Sequence, residues 1–184
     1  RALQTVDALY ARILPAGADV LDLMASHDSH LQGCSQRSLH VLGMNAEELE
    51  ANSSATSRLV LDLNQDSTLP YEDSCLDAVI CTASVEYLVQ PQRIFEEVLR
   101  VLRPGGVFAL TFSNRWFPGK AITVWSELHE FERVGMVTQW LQQAGFEDLH
   151  TFSSRGWPRP VSDAHYGQTT VSDPVYAVWG FRAS

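Results

Sequence analysis

The chain has 184 residues, 45% hydrophobic and 19% charged, with a formal net charge of -9. That length and balance fit one globular domain and exclude a disordered or fibrous chain. The acidic surplus excludes the basic footprint of a nucleic-acid or anionic-membrane binder, and no apolar run reaches bilayer-spanning length. The three cysteines, Cys34, Cys75 and Cys81, lack Cys-x-x-Cys spacing. They read as free thiols of an intracellular, reducing compartment: the cytoplasm, or an organelle stroma after removal of a transit peptide. Residues 1–184 read as one domain whose N-terminal part is missing, because Arg1 already stands inside a helical pattern.

In chain order, Val6, Leu9, Tyr10 and Ile13 share a face of a helix over residues 3–14, which Pro15 and Gly17 end. Residues 18–23 form the first strand and 39–43 the second. A short helix over 46–52 carries Glu47, Glu48 and Glu50, and 58–63 is the third strand. Residues 76–83 are apolar along most of their length, as expected of a strand covered on both faces. From Pro91, the residues Ile94, Phe95, Val98, Leu99 and Leu102 line one helix face, while Arg93, Glu96, Glu97 and Arg100 stay in solvent. Pro104-Gly105-Gly106 ends that helix and 107–112 is the fifth strand. A helix over 134–144 and strands over 146–152 and 175–181 complete an alternating α/β pattern, which predicts a parallel sheet covered by helices. Residues 153–174, rich in Pro, Gly and Ser, are too long for a hairpin and read as a lid or a mobile insertion.

Three segments carry a family likeness. Leu69-Pro70-Tyr71-Glu72-Asp73-Ser74-Cys75-Leu76-Asp77-Ala78-Val79-Ile80 resembles the Leu-Pro-Phe-x-Asp-x-Ser-Phe-Asp-x-Val signature of small-molecule class I S-adenosylmethionine (SAM) methyltransferases. Ser84-Val85-Glu86-Tyr87-Leu88 stands where that family has Leu-His-His-Leu, and Leu99-Arg100-Val101-Leu102-Arg103-Pro104-Gly105-Gly106 is similar to its following turn. Residues 21–26 and 43–49 resemble a branch labelled only methyltransferase-like. The resemblance covers roughly residues 18–150. It implies a Rossmann-like class I methyltransferase fold: a mostly parallel seven-stranded sheet, its last strand antiparallel, with helices on both faces. It also implies SAM as cofactor and methyl transfer to a small molecule. The rival reading is a catalytically inactive binding or interaction module on the same fold.

The family's Gly-x-Gly-x-Gly loop is degenerate here, with Met24, Ser26 and Asp28 in the glycine slots. Side chains there either reshape the loop or intrude on the cofactor at about 1–3 kcal/mol per site. By resemblance Asp22 lies near the methionine moiety, Asn45 replaces the acidic residue that grips the ribose, Asp62 and Leu63 meet the adenine, and Ser84 faces the crevice. Asn45 has one acceptor oxygen where a carboxylate has two, a loss of about 1 kcal/mol. Asp22 reads equally as a loop cap and Asn45 as a helix cap.

Ligands of open α/β sheets bind beyond the strands' carboxyl ends, at the switch point beside the first strand. Methyl transfer rests mainly on positioning, with a base needed only for a protonated acceptor. Candidates for chemistry at that rim are Glu86, Tyr87 and His165. Candidates for substrate contact are Asn114, Arg115, Trp116, Trp157 and Tyr166, with Arg115 suited to an acidic acceptor. The plainer alternatives are a solvated charge for Glu86, turn packing for Trp116 and Phe117, and an ion pair for Arg115. His27 and His30 lack a third ligand, so no metal is expected. No Gly-x-Gly-x-x-Gly fingerprint of a nicotinamide enzyme is present.

Overall fold

Strand β1 (Ala18–Leu23) lies near the middle of a seven-stranded sheet and divides two runs of chain. A computed structural model describes residues 1–163 and 166–184. On one side of β1 lie β2 (Gln36–Gly43) and β3 (Ser57–Val60); on the other lie β4 (Leu76–Thr82), β5 (Leu102–Phe112), β7 (Val175–Phe181) and β6 (Glu147–Ser154), giving the order β3-β2-β1-β4-β5-β7-β6. β1 to β5 pair in parallel, and β7 runs antiparallel to both β5 and β6. The expected antiparallel last strand is therefore present, and β6 points the same way as the first five.

Alternation along the strands feeds two cores. Leu21, Leu23, Val79, Cys81, Phe108 and Leu110 face α3 (Pro91–Val101) and α5 (Glu130–Ala144), whose Phe95, Val98, Val137 and Leu141 are fully buried. Val20, Leu39, Val41, Ile80 and Ala109 face the other way, where α1 (Ala2–Ile13) and α2 (Ala46–Ala51) deliver Val6, Tyr10 and Leu49. The Tyr10 hydroxyl reaches through this layer to the Thr82 and Thr111 hydroxyls, at 2.7 and 3.2 Å, and so pins α1 to the upper ends of β4 and β5. At the opposite end, Arg37 and Arg103 bind Asp19 and Asp77, and the Asp77 carboxylate accepts the Asp19 amide at 2.8 Å. That cluster ties β1, β2, β4 and β5 together far from the crevice.

Several boundaries differ from expectation. α3 stops at Val101 and Leu102 opens β5, so Pro104-Gly105-Gly106 lies within the strand. The pairing of β4 with β5 jumps from Leu76↔Leu102 to Ala78↔Val107, and Gly105 absorbs the irregularity at φ 75°. Glu97 and Arg100 do not stay in solvent. Glu97 accepts the Leu69 amide, while Arg100 donates to the Leu69 and Tyr71 carbonyls and pairs with Asp73. β3 ends at Val60 because Asp62 turns the chain, accepting from the Asn64 amide through its side chain and from Gln65 and Asp66 through its carbonyl. α5 starts four residues early on a box in which Glu132 accepts the His129 amide at 2.7 Å. A short helix, α4 (Thr123–Glu127), has no counterpart among the expected elements.

The 155–174 connection is locally folded where it is described. Pro158 bridges Val171, and the Arg159 side chain, 2% exposed, donates to the Val171 carbonyl, Asp163 and Asp173.

Candidate active site

The parallel strands end at a crevice containing three adjoining hollows. The first, about 190 Å3, lies beyond β2 and β3 between Asn45, Glu48, Leu61, Asp62, Leu63 and Ser84. The second, about 230 Å3, lies beyond β1 and is lined by Asp22, Ser26, Asp28, Thr82, Ala83 and Ser84, with Leu3 of α1 above it. Met24, Ala25 and Ser84 border both, so the Met24 region forms the partition between them. The third, about 650 Å3, begins at Ala83 and runs past Glu86 and Tyr87 to residues 113–118.

The loop after β1 keeps a tight path without glycine. Met24 takes φ 56°, a left-handed conformation that costs a side-chain-bearing residue roughly 1–2 kcal/mol. The glycine that the loop requires sits on β2 instead. A Cβ on Gly43 would lie 2.5 Å from the Ala25 carbonyl oxygen, while the Ala25 amide donates to the Leu42 carbonyl at 2.8 Å. Beneath the loop, buried Asn52 donates to the Ser26 carbonyl at 3.2 Å and to the Ser29 hydroxyl at 3.0 Å. Asp28 is spent on its own loop, accepting from the His30 amide and the Gln32 side chain.

Asp22 is 2% exposed. Burial pushes its carboxyl up to about 7, against the opposing hydrogen bond to Ser29, and the nearby Asp28 raises it further. A cationic group entering the second hollow would restore the ionised form, which suits the ammonium end of SAM. The adenosyl side fits less completely. Asn45 caps α2: its amide oxygen accepts the Glu47 and Glu48 amides at 3.0 and 3.3 Å, and its amide nitrogen donates to Glu48 at 3.1 Å. Asp62 spends one oxygen on the Asn64 amide and the other on Gln65. Leu61 and Leu63 supply apolar wall, and the Glu48 carboxylate stands exposed at the rim. Separately the first two hollows fall below the ~300–1,000 Å3 usual for small-molecule sites; joined, they reach its lower end.

In the third hollow Glu86 overturns the plain reading of a solvated charge. It is 1% exposed, its Oε2 has no hydrogen-bond partner, and burial pushes its carboxyl up to about 7, with Arg133 and Tyr87 pulling the other way. Residues 113–127 roof the hollow and dock onto the 3-10 turn Val85–Tyr87: the Ile122 amide donates to the Glu86 carbonyl and the Phe117 amide to the Tyr87 hydroxyl at 3.0 Å. Arg133 of α5 is buried beside them, 4.2 Å from the centroid of the Trp116 ring, with its Nε donating to the Trp125 carbonyl.

Of the expected substrate residues, Asn114, Arg115 and Trp116 do line this hollow. Arg115 pairs with Asp173 at 3.0 Å. Trp157 and Tyr166 are not brought to it: Trp157 lies under Arg1, and Tyr166 bridges Thr169. His165 lies outside the described residues. Sequence reasoning missed Arg133, whose helix was expected to start one residue later, and the place of Glu48 at the rim of the first hollow. The Asn-x-x-Glu spacing of 45 and 48 is the signal that was available for Glu48. Among the described residues no cluster of three or more metal-binding side chains occurs, the three cysteines are free, and no helix is long and apolar enough to cross a membrane.

This strand order, with its crevice beside β1 and its antiparallel seventh strand, defines a class I methyltransferase fold. Residues 21–110 match the family model described as a methyltransferase domain. An uncharacterized methyltransferase of Mycobacterium tuberculosis is 35% identical over 106 residues, covering 56% of this chain and 43% of that protein. The chloroplastic 2-methyl-6-phytyl-1,4-hydroquinone methyltransferase 1 of Oryza sativa is 32% identical over 84 residues, 44% of this chain and 24% of that protein. Among solved structures, a chain from the complex of the Haloferax volcanii Trm112 methyltransferase activator superimposes with a TM-score of 0.70 at 18% identity, covering 98% of this chain and 90% of that one. Haemonchus contortus phosphoethanolamine N-methyltransferase 2, in complex with SAM, gives 0.64 at 12% identity, covering 98% and 52%. Over residues 21–110 the chain is similar in sequence to methyltransferase domains, and its fold is that of the class I methyltransferases. It spans 43% of the length of the Mycobacterium tuberculosis relative and 24% of the Oryza sativa one.

Proposed function

We propose that this protein binds SAM across the first two hollows and transfers its methyl group to a small molecule held in the third. The observation that carries this reading is the junction at Ala83, which lines both the Asp22 hollow and the Glu86 hollow. A methyl donor seated over Asp22 would face an acceptor beside Glu86 without a domain movement, and such proximity supplies much of the rate of a transfer reaction.

SAM, when bound, supplies an electrophilic methyl group. The remaining work falls to the chain. Asp22 binds the cationic end, Leu61 and Leu63 shelter the adenine, and Glu48 offers the carboxylate at the ribose side that Asn45 has surrendered to helix capping. Glu86 is placed to take a proton from the acceptor, and Trp116 and Phe117 exclude water. We assign His165 no role. The 155–174 connection acts as a lid edge through Asp173 and Arg115, and the free thiols suit a reducing compartment.

A specific observation also favours a silent module: Met24 stands in the partition where the family has glycine. Thermal unfolding with SAM, its demethylated product S-adenosylhomocysteine and NADH separates the readings. A ligand at a hundredfold over its Kd adds about 2.7 kcal/mol of stability. A shift with SAM and its product, lost in Asp22→Ala, supports the enzyme. No shift with any of the three at millimolar concentration supports the module.

A further inference from the structure

The third hollow contains a buried carboxyl with one oxygen left without a hydrogen-bond partner. Glu86 is 1% exposed and its Oε2 has no partner, a state that demands a donor or a shared proton. The cations in reach are engaged elsewhere. Arg133 donates through Nε to the Trp125 carbonyl and lies between the Trp116 and Trp125 rings, 4.2 and 5.5 Å from their centroids. Arg115 is paired with Asp173, itself held by Arg159. Lys120 covers the Phe117 ring at 5.4 Å and does not line the hollow. Beside the polar Ser113, Asn114 and Arg115, one part of the wall is flat and apolar: Tyr87, Trp116, Phe117 and Pro118, with the Tyr87 and Phe117 rings 6.4 Å apart.

We infer that this hollow takes an uncharged aromatic hydroxyl compound, its O–H donated to the Glu86 carboxyl and its ring held by Tyr87, Trp116 and Phe117. A carboxylate or phosphate ligand would set a second negative charge against Glu86, which already faces Arg133, while Arg115 is paired with Asp173, the reverse of what Arg115 led the sequence to promise. An ammonium ligand would compete with Arg133 for the same carboxylate. A neutral donor avoids both penalties, and an aromatic ring fills a flat-walled space at little entropic cost. The raised proton affinity of Glu86 agrees with a group that shares a proton with a neutral partner. The inference rests on reading this hollow as the acceptor site.

Fluorine NMR on the whole chain, with 4-fluorophenol, 4-fluorobenzoate and 4-fluorobenzylamine as probes, tests it. The phenol binds about tenfold more tightly than either charged probe, a difference of 1.4 kcal/mol. Glu86→Gln shrinks the phenol-to-benzoate ratio by about fivefold, because the repulsive element is gone. Phe117→Ala, at a side chain 67% exposed and therefore harmless to the core, weakens phenol binding severalfold. Benzoate or benzylamine binding as tightly as the phenol overturns the inference, as does wild-type behaviour in both variants. S-adenosylhomocysteine titrated separately keeps the two readings apart. Its failure to bind removes the transferase while phenol selectivity stands; its binding without phenol selectivity removes only the acceptor class.

Discussion

Met24 and Ala83 stand one residue beyond the ends of the neighbouring strands β1 and β4, both in the left-handed conformation, at φ 56° and 49°, and both line the Asp22 hollow. Two side-chain-bearing residues thus hold a geometry that favours glycine, Met24 between the first two hollows and Ala83 where the second meets the third. Strain of this kind persists only where the surroundings impose it. Here Gly43 permits the close approach of the Ala25 carbonyl, and Asn52 fastens the loop from below.

Met24→Gly follows directly. It relieves left-handed strain and removes the side chain from the partition, but it also loses packing of a half-buried methionine against the core. These terms are each about 1 kcal/mol and opposed, so stability in urea changes by less than about 1 kcal/mol. The affinity for S-adenosylhomocysteine, measured by calorimetry, rises severalfold as the two hollows join. An affinity unchanged or lowered would show that Met24 is not what separates them.

Glu48 is the carboxylate at the rim of the first hollow, where we propose the ribose lies, once Asn45 is spent on capping. Glu48→Gln is therefore expected to lower S-adenosylhomocysteine affinity by about 1 kcal/mol, the difference between a charge-assisted and a neutral bond. Asn45→Ala instead acts on the fold, costing about 0.5–2 kcal/mol for the lost cap. Calorimetry and urea midpoints on both variants check the division. Equal affinity in Glu48→Gln would leave the ribose without a carboxylate partner here.

The sheet is legible in the sequence because its strands are covered on both faces. Runs such as Val20-Leu21 and Ala78-Val79-Ile80 admit few readings, and Ala18–Leu23 and Val175–Phe181 occur at their expected limits. The degenerate loop is legible as a set of replaced glycines, but not its consequence. Whether Met24 reshapes the loop depends on Gly43, nineteen residues away and brought against the neighbouring Ala25 only by the fold. Helix α4 leaves no period to read in five residues, with Trp125 its single buried side chain. Glu86 reads as a surface charge and Arg133 draws no notice because burial is a tertiary fact: each is covered by segment 113–127, which docks onto the 3-10 turn through backbone bonds that no side-chain pattern announces.

Arg100 shows the same limit on an α3 position expected in solvent. Its guanidinium donates to the Leu69 and Tyr71 carbonyls, each at 2.9 Å, and to Glu97 and Asp73. It thereby holds the Leu69-Pro70 segment that leads into β4. Arg100→Ala leaves two backbone acceptors short of a donor and is expected to cost about 2–3 kcal/mol in chemical denaturation. Arg100→Lys recovers little of this, because an ammonium cannot span the same fork of acceptors. A loss below about 0.5 kcal/mol in Arg100→Ala would mean that water replaces the whole network.

Asp22 predicts how stability varies with pH. Its carboxyl is pushed from an ordinary 3.8 up to about 7, with burial the main cause. The unfolded chain then loses this proton first, so folding stability falls as pH rises from about 4 to about 7 and levels off above that. The decrease from this one group is on the order of a few kcal/mol. Glu86, also pushed up to about 7 by burial, adds to the fall with the same sign. Asp22→Asn keeps the shape and removes the titration, so its urea midpoint is higher than wild type at pH 8 and its pH profile between 5 and 7 is flatter. Adding Glu86→Gln flattens it again. S-adenosylhomocysteine acts in the opposite sense, because its ammonium favours ionised Asp22: binding near pH 6.5 releases protons, measured as a dependence of the calorimetric heat on buffer ionisation. A wild-type slope retained in Asp22→Asn, or no proton release on binding, would show that Asp22 is not the group that receives the cofactor's charge.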